Sequence, residues 1–337
     1  MIVGVRCDAG PKTGVGHLVR CVALAEELTA RGVDVHFLSD LGGVAWAVSQ
    51  LEQRGLPWHP APYDTVGMVA AAERLGLDAL ITDSYTLPPQ HSVAVRETGR
   101  TVLAIVDGDL RGQAADIYVD QNLDAVLDTH LNAGAVRLAG LDYALLRSSV
   151  RRLRPAVAPV HTSTRTPKVV AFFGGTDAYR AAPQVARLLT RSAVPFDATV
   201  IAADDSLRSE LLAVNPGPGQ RFEIIEPTDH LPKLLVDADL VISASGTSTW
   251  ELLCLGRAAA LLWVVDNQIQ GYERTVARGY AAGLGRLNNF DTSAPDILAR
   301  LLTDPAARTT LATRGWSAVD GRGTERVADA LLTPHPL

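Results

Sequence analysis

The chain is poor in cysteine, in lysine and in long apolar runs, and each shortage narrows what it can be. Its three cysteines, Cys7, Cys21 and Cys254, form no C-x-x-C pair, which argues against a disulfide framework or a zinc knuckle and fits a reducing compartment. Only Lys12, Lys168 and Lys233 are lysines, and 31 Lys+Arg stand against 37 Asp+Glu for a formal net charge of -6. No cationic surplus exists to neutralise a nucleic-acid backbone or an anionic bilayer, so neither is an expected partner. The arginine bias reads as coding composition. The apolar stretch 258–265 is far too short to span a bilayer, and the opening Met-Ile-Val-Gly-Val-Arg has no basic segment leading into an apolar one. Membrane insertion is not expected, and the expected location is the cytoplasm.

What is present is a large apolar fraction, 47% of 337 residues, enough for about two domains with a core each. Short β-rich runs at 2–6, 33–38, 79–82, 101–106 and 117–119 alternate with longer helical patterns, as in β-α-β units of a parallel sheet. Leu18, Cys21, Val22, Ala25 and Leu28 recur at helical spacing, predicting a helix that starts near Gly16 or His17. The rhythm breaks at 151–167, which is rich in arginine, proline and small polar residues, and resumes with runs at 168–173, 198–202, 222–225, 240–243 and 259–265. The expected architecture is therefore α/β: two doubly wound Rossmann-like domains, residues 1–155 and 168–337, joined by a linker at 156–167. Ligands of such folds bind at the carboxyl ends of the strands, so the site is expected in an interdomain cleft.

Several segments at predicted strand ends could carry chemistry. Gly14-Val15-Gly16-His17 follows the first strand and opens a helix, but Val19 stands where a dinucleotide fingerprint needs its third glycine, so a nicotinamide or flavin site loses support despite Asp40 after the second strand. A histidine at a helix start is disfavoured as a cation, which suits a neutral general base; the alternative is a turn histidine bonded to backbone. Gly174-Gly175-Thr176 follows a buried strand and could let backbone N–H groups approach a phosphate, or form an ordinary strand-to-helix turn; no Gly-Lys-Ser/Thr follows, so it is not a P-loop. Ser245-Gly246-Thr247-Ser248 then offers hydroxyls and free amides to a diphosphate, with Glu251 able to accept from ribose; Ser248 and Glu251 also have capping-box spacing. Asp83-Ser84-Tyr85, Asp107-Gly108-Asp109, Asp120-Gln121-Asn122 and Asp266-Asn267-Gln268 end other strands, where sites and plain loops both begin. Nothing in their spacing matches a calcium loop, and no metal site is expected.

Taken in order, Arg6-Cys7-Asp8, Gly14-x-Gly16-His17-x-x-Arg20-Cys21, Asp83-Ser84-Tyr85, Asp120-Gln121-Asn122, Tyr143-Ala144-Leu145-Leu146-Arg147, Phe173-Gly174-Gly175-Thr176-Asp177, Ser243-Ala244-Ser245-Gly246-Thr247 and Asp266-Asn267-Gln268 resemble the motifs of the PseG and SpsG-like nucleotide-sugar hydrolases of pseudaminic acid biosynthesis. Asp320-Gly321-x-Gly323-x-x-Arg326-Val327 is similar to the family's ending. The resemblance implies a GT-B-like fold related to the MurG glycosyltransferases, and hydrolysis of a UDP-linked diacetamido-trideoxy sugar to free sugar and UDP. It makes His17 the base that activates water and sets Tyr85 and Asn267 against the reacting sugar. Gly174, Gly175, Thr176, Ser245, Gly246, Thr247, Ser248 and Glu251 would hold the nucleotide, and Asp8, Gly14, Gly16, Arg20, Asp83 and Gln268 would lie on the substrate side. Ser84 stands where the family often has histidine. Because UDP is a good leaving group, one base and phosphate stabilisation suffice for inverting attack, without a metal, a cofactor or paired carboxylates. The same residues would serve a GT-B glycosyltransferase with an acceptor hydroxyl in place of water, or a silent nucleotide-sugar-binding protein. The expected partner is a small-molecule UDP-sugar, and the expected state a monomer or weak homo-oligomer.

Overall fold

The computed structural model describes residues 1–10, 14–127, 134–162 and 165–333. The chain divides into two compact units, the first formed by residues 1–148 with the segment from Gly321 onward, the second by Ser149–Asp320.

The first unit holds a seven-stranded sheet, β1 (Ile2–Cys7), β2 (Asp34–Leu38), β3 (Trp58–His59), β4 (Ala79–Asp83), β5 (Thr101–Ile105), β6 (Ile117–Asp120) and β7 (Val136–Ala139). The strands run parallel in the order β3-β2-β1-β4-β5-β6-β7. Parallel strands covered on both faces need continuous apolar sequence, and all five residues of Ala79-Leu-Ile-Thr-Asp83 are buried. One face packs Val3, Val5 and Ile81 against Leu18, Leu24 and Leu28 of the helix Gly16–Ala30. The other packs Leu80, Val102 and Tyr118 against Met68 and Val95, which come from the helices Thr65–Leu75 and Pro89–Glu97.

The second unit repeats the plan with β8 (Lys168–Phe172), β9 (Phe196–Ile201), β10 (Gln220–Ile225), β11 (Leu240–Ala244), β12 (Ala259–Trp263), β13 (Ala282–Arg286) and β14 (Asn289–Phe290). Their order is β10-β9-β8-β11-β12-β13-β14, with only the last pair antiparallel among the described strands. In each sheet the order reverses at one place, between β1 and β4 and between β8 and β11.

Two boundaries differ from the sequence expectation. The helix Gly323–Leu332 belongs with the first unit, not with 168–337: Val327, Ala328 and Leu331 enter the first core, and the Thr324 hydroxyl accepts from Leu146 N at 2.9 Å while donating to Leu146 O at 3.2 Å. The helix sits so close that a Cβ on Gly323 would lie 2.4 Å from Ala144 N. The expected linker, whose residues 163 and 164 lie outside the described residues, is packed within the second unit. Just before it Trp316 Nε1 donates to Pro155 O (3.0 Å), and within it His161 N donates to Thr309 Oγ1 (2.9 Å) and Arg165 Nη1 reaches Asp239 Oδ2 at 3.0 Å.

Candidate active site

In open parallel sheets the strand order reverses where neighbouring crossovers leave in opposite directions, opening a crevice at the carboxyl ends of the two central strands. In the first unit β1 and β4 meet there in register, Cys7 opposite Asp83, and nearly every candidate residue of this half emerges at that edge.

His17 is the second residue of the helix Gly16–Ala30. Its Nδ1 lies 2.5 Å from Asp83 Oδ1, with Asp83 fully buried at the end of β4. One helical turn on, Arg20 donates to the same carboxylate from Nε and Nη2, both at 2.6 Å, and to Asp107 from Nη1 (2.7 Å) and Nη2 (3.0 Å). Tyr85 Oη donates to Asp107 Oδ2 at 2.7 Å, and the Tyr85 ring meets the His17 ring edge-on, centroids 4.5 Å apart at 89°. Asn122 Nδ2 donates to Asp107 Oδ1 (3.0 Å) and to Asp120 Oδ1 (2.8 Å). The result is a closed circuit running His17, Asp83, Arg20, Asp107, Tyr85 and back to His17.

The charges explain how the circuit survives burial. Desolvation alone would push both carboxyls up, but the Arg20 guanidinium outweighs it, with His17 assisting at Asp83 and Tyr85 and Asn122 at Asp107, so both are held below the ordinary carboxylate range. Burial together with the Asp107 charge pushes the Tyr85 phenol well above its usual value, fixing it as a proton donor to Asp107. An ionised Asp83 can only accept, so the hydrogen between it and His17 belongs to Nδ1, and a neutral His17 presents a lone pair on Nε2. That is the orientation a general base requires.

The other expected substrate-side residues take local roles. Arg20 is only 4% exposed and Asp83 is fully enclosed, and both spend their polar atoms within the circuit that holds His17. Asp8 is bonded by Arg6 Nη1 and by Ser84 Oγ (2.9 Å), and Ser84 Oγ also accepts from the backbone N of Thr86 and Leu87, each at 3.1 Å. Gly14, at φ +75°, exchanges backbone hydrogen bonds with Gly10, and Gly16 opens the helix. Sequence reasoning reads Asp107 only as a generic strand-end residue and Asn122 as one that also falls in the Asp120-Gln121-Asn122 motif, and it names neither as a site residue, although both follow the ends of β5 and β6; Arg111, in the middle of the loop between those strands, carries no such signal.

In the second unit the reversal between β8 and β11 brings together the loops that follow them, with Ser243 paired to Phe172 in register and its Oγ donating to Phe172 O at 2.9 Å. Gly174 takes a left-handed φ of +74° and is exposed beside the partly exposed Gly175 and Thr176. The following helix starts later than its motif suggests, at Ala181, where Asp177 accepts from Ala181 N (2.8 Å) and Ala182 N (3.0 Å). After β11, Ser245 N donates to Leu262 O at 2.7 Å, leaving Gly246 exposed and Thr247 and Ser248 half-buried. The capping box does not form: the helix Ser248–Cys254 begins at Ser248 itself, its cap position is Thr247, and no side chain caps it. Glu251, expected to reach ribose, is 3% exposed. Gln268 lies next to this turn, its Nε2 3.8 Å from where a Gly246 Cβ would be, and its Oε1 accepts from Val264 N at 2.9 Å. Asn267 is exposed on the short turn Asp266–Gln268.

No described protein family matches the chain. Among curated proteins it is 20% identical over 288 residues to the uncharacterized protein MJ1062 of Methanocaldococcus jannaschii, covering 81% of this chain and 58% of that protein. The chain thus spans somewhat over half the length of that relative. It is 23% identical over 343 residues to the spore coat polysaccharide biosynthesis protein SpsG of Bacillus subtilis, covering 98% of each. It is 24% identical over 345 residues to the UDP-N-acetylglucosamine--N-acetylmuramyl-(pentapeptide) pyrophosphoryl-undecaprenol N-acetylglucosamine transferase of Xanthomonas oryzae, covering 94% of this chain and 76% of that one. Among solved structures it aligns with Acinetobacter baumannii MurG at a TM-score of 0.72 and 16% identity over 98% of this chain and 99% of that one. The two Rossmann-like units make up a GT-B-like fold, as the motifs led us to expect.

Proposed function

We propose that this protein is a nucleotide-sugar hydrolase, cleaving a UDP-linked sugar at the anomeric carbon with water. The observation that carries the reading is the His17–Asp83 pair: an imidazole at the sheet's reversal point, oriented by a buried ionised carboxylate, with Nε2 left to take a proton. Water deprotonated by His17 attacks the anomeric carbon opposite the departing diphosphate, giving inversion. Tyr85, 46% exposed and packed on His17, forms a wall of the sugar pocket; Asn267 is assigned to the sugar by the motif resemblance alone. The Gly174–Gly175–Thr176 and Ser245–Gly246–Thr247–Ser248 loops receive the nucleotide, since small residues at a reversal point let backbone amides approach phosphate oxygens. UDP as the nucleotide is supported by the Xanthomonas relative, whose name specifies a UDP-sugar, and a diacetamido-trideoxy sugar by the motif resemblance alone.

The test is replacement of His17 by asparagine: UDP affinity should hold within about threefold while UDP release falls by at least about a hundredfold, and the first-formed anomer, read by proton NMR, should be inverted. Unchanged turnover in His17→Asn would remove the imidazole from the base role. A second reading has the same relative in its favour, a transferase by name: His17 would then deprotonate an acceptor hydroxyl. Turnover that requires an added acceptor selects it.

A further inference from the structure

One cation beside this circuit has no counter-charge within it. Arg111 lies in the loop between β5 and β6, its backbone held in the left-handed region at φ +49° while its N–H donates to Asp109 Oδ1 at 2.8 Å. A non-glycine residue in that region is uncommon and is sustained only where the surroundings over-determine it. The side chain folds back over Tyr85, with the guanidinium carbon 4.8 Å from the ring centroid. Tyr85 is therefore contacted by His17 edge-on and by Arg111 over its ring.

The Arg111 Nε is buried and has no hydrogen-bond partner, and no described carboxylate forms an ion pair with its guanidinium. The neighbouring acids are already engaged: Asp107 takes Arg20, Tyr85 and Asn122, Asp120 takes Asn122 and the Gly108 N–H, and Asp109 takes the backbone of Arg111 itself. A guanidinium stays protonated at any working pH and carries five donors in a planar fork. Burying part of it unpaired is costly, and stacking on a phenol ring returns only a fraction of what a charged partner gives. Contrast Arg20, four of whose donor contacts are satisfied by two carboxylates. Of these two guanidiniums, the one on the helix Gly16–Ala30 is used up in holding the site and the one on the β5–β6 loop is left open beside it.

We infer that Arg111 is a specificity residue that receives an oxyanion of the bound nucleotide sugar. The inference rests on the proposed reading of this site as one for nucleotide sugars. The oxyanion can come from two parts of such a ligand, the diphosphate or a carboxylate carried on the sugar ring. Both match the planar, bidentate geometry of a guanidinium.

Calorimetric titration of the full chain with UDP, UDP-N-acetylglucosamine and UDP-N-acetylglucosaminuronic acid separates the sources, for wild type, Arg111→Met and Arg111→Lys. Loss of a charge-assisted bidentate contact weakens binding by about ten- to a hundredfold. If the diphosphate is the partner, Arg111→Met weakens all three ligands alike; if a sugar carboxylate is, only the uronate loses affinity. In either case Arg111→Lys recovers part of the loss, because the charge survives without the fork, whereas a merely structural Arg111 would show no ligand-dependent rescue. Thermal midpoints of the variants within a few degrees of wild type show that the loop still folds; if Arg111→Met fails that check, the Arg111→Lys titrations decide by the same criterion. Affinities of the folded variants within twofold of wild type for all three ligands would overturn the inference and leave the nucleotide-sugar reading standing. A wild-type protein that bound none of the three would overturn both.

Discussion

Replacing Asp83 by asparagine should damage this protein twice, and the structure gives a size to each effect. Asp83 is fully enclosed and accepts from four donors: two nitrogens of Arg20, Nδ1 of His17 and the Cys21 thiol at 3.6 Å. Asparagine keeps one acceptor oxygen, and because Arg20 donates to both oxygens of Asp83 its NH2 meets an Arg20 donor in either orientation, a donor–donor clash beside a buried cation. Where the NH2 replaces Oδ1 it also forces His17 Nδ1 to accept, which moves the ring proton to Nε2 and abolishes the base. Breaking a buried ion pair by removing one partner costs about 3–5 kcal/mol, and Asp107, still bonded to Arg20, keeps the loss at the lower end, about 3 kcal/mol. Turnover should fall roughly a hundred- to ten-thousandfold, the range for a base held in the wrong tautomer. Acid behaviour changes as well. Because Asp83 and Asp107 are held below the usual carboxylate range in the fold, their stabilisation is complete above about pH 4 and is lost as the pH drops through their lowered values. Asp83→Asn should therefore flatten the acid limb of stability. Urea unfolding and UDP-release rates for Asp83→Asn, His17→Asn and the double variant are the assay, since His17→Asn should lose activity with less than about 1 kcal/mol of stability. Asp83→Asn turnover within threefold of wild type, or a stability loss below about 1 kcal/mol, would refute the reasoning.

Three further outcomes follow. Tyr85→Phe removes only the hydroxyl that donates to Asp107, so it should cost about 1 kcal/mol in urea unfolding and reduce kcat with UDP affinity unchanged; weakened UDP binding would contradict that placement. Burial raises the Asp177 carboxyl to about 6 despite two backbone N–H donors. Its stabilisation is complete below about pH 4 and lost as the pH rises through 6, so Asp177→Asn should be neutral or stabilising by up to about 2 kcal/mol at pH 8 and not at pH 4; thermal midpoints at the two pH values decide. Gly323→Ala places a Cβ 2.4 Å from Ala144 N and 2.5 Å from Ala144 O, backbone atoms that cannot step aside, so it should lower the urea midpoint by the equivalent of about 3 kcal/mol, and a change below about 0.5 kcal/mol would show that the last helix is loosely docked.

How much of this was legible beforehand depends on how local the signal is. Buried parallel strands such as Ala79–Asp83 and Leu240–Ala244 are short apolar runs with polar ends, and sequence shows them directly. The two-residue Trp58–His59 and the glycine-bearing Ala282–Arg286 are strands only because a neighbour pairs with them, so their own residues carry no period. The 151–167 segment shows the other limit: arginine and proline mark a stretch without regular structure, and Arg154, stacked 4.5 Å from the Trp316 ring centroid and donating to Cys254 O at 2.7 Å, nevertheless packs it down. At the site His17 was readable as a glycine-flanked histidine at a helix start. What orients it was not, because Asp83 lies 66 positions and Asp107 a further 24 along the chain, joined only by the β1-β4-β5 adjacency. Ser248 and Glu251 had capping-box spacing, yet the helix already begins at Ser248 with Thr247 as its cap, one residue earlier than a box with Ser248 as N-cap needs.

The most direct measurement is phosphorus NMR of the purified protein with a small panel of UDP-sugars, including a diacetamido-trideoxy donor, and no acceptor. Free UDP should appear from at least one donor, and the His17→Asn and Asp83→Asn proteins should leave the same spectrum unchanged over the same interval. Release that begins only when an acceptor alcohol is added, or that proceeds at the wild-type rate in His17→Asn, would contradict hydrolysis by a His17-activated water.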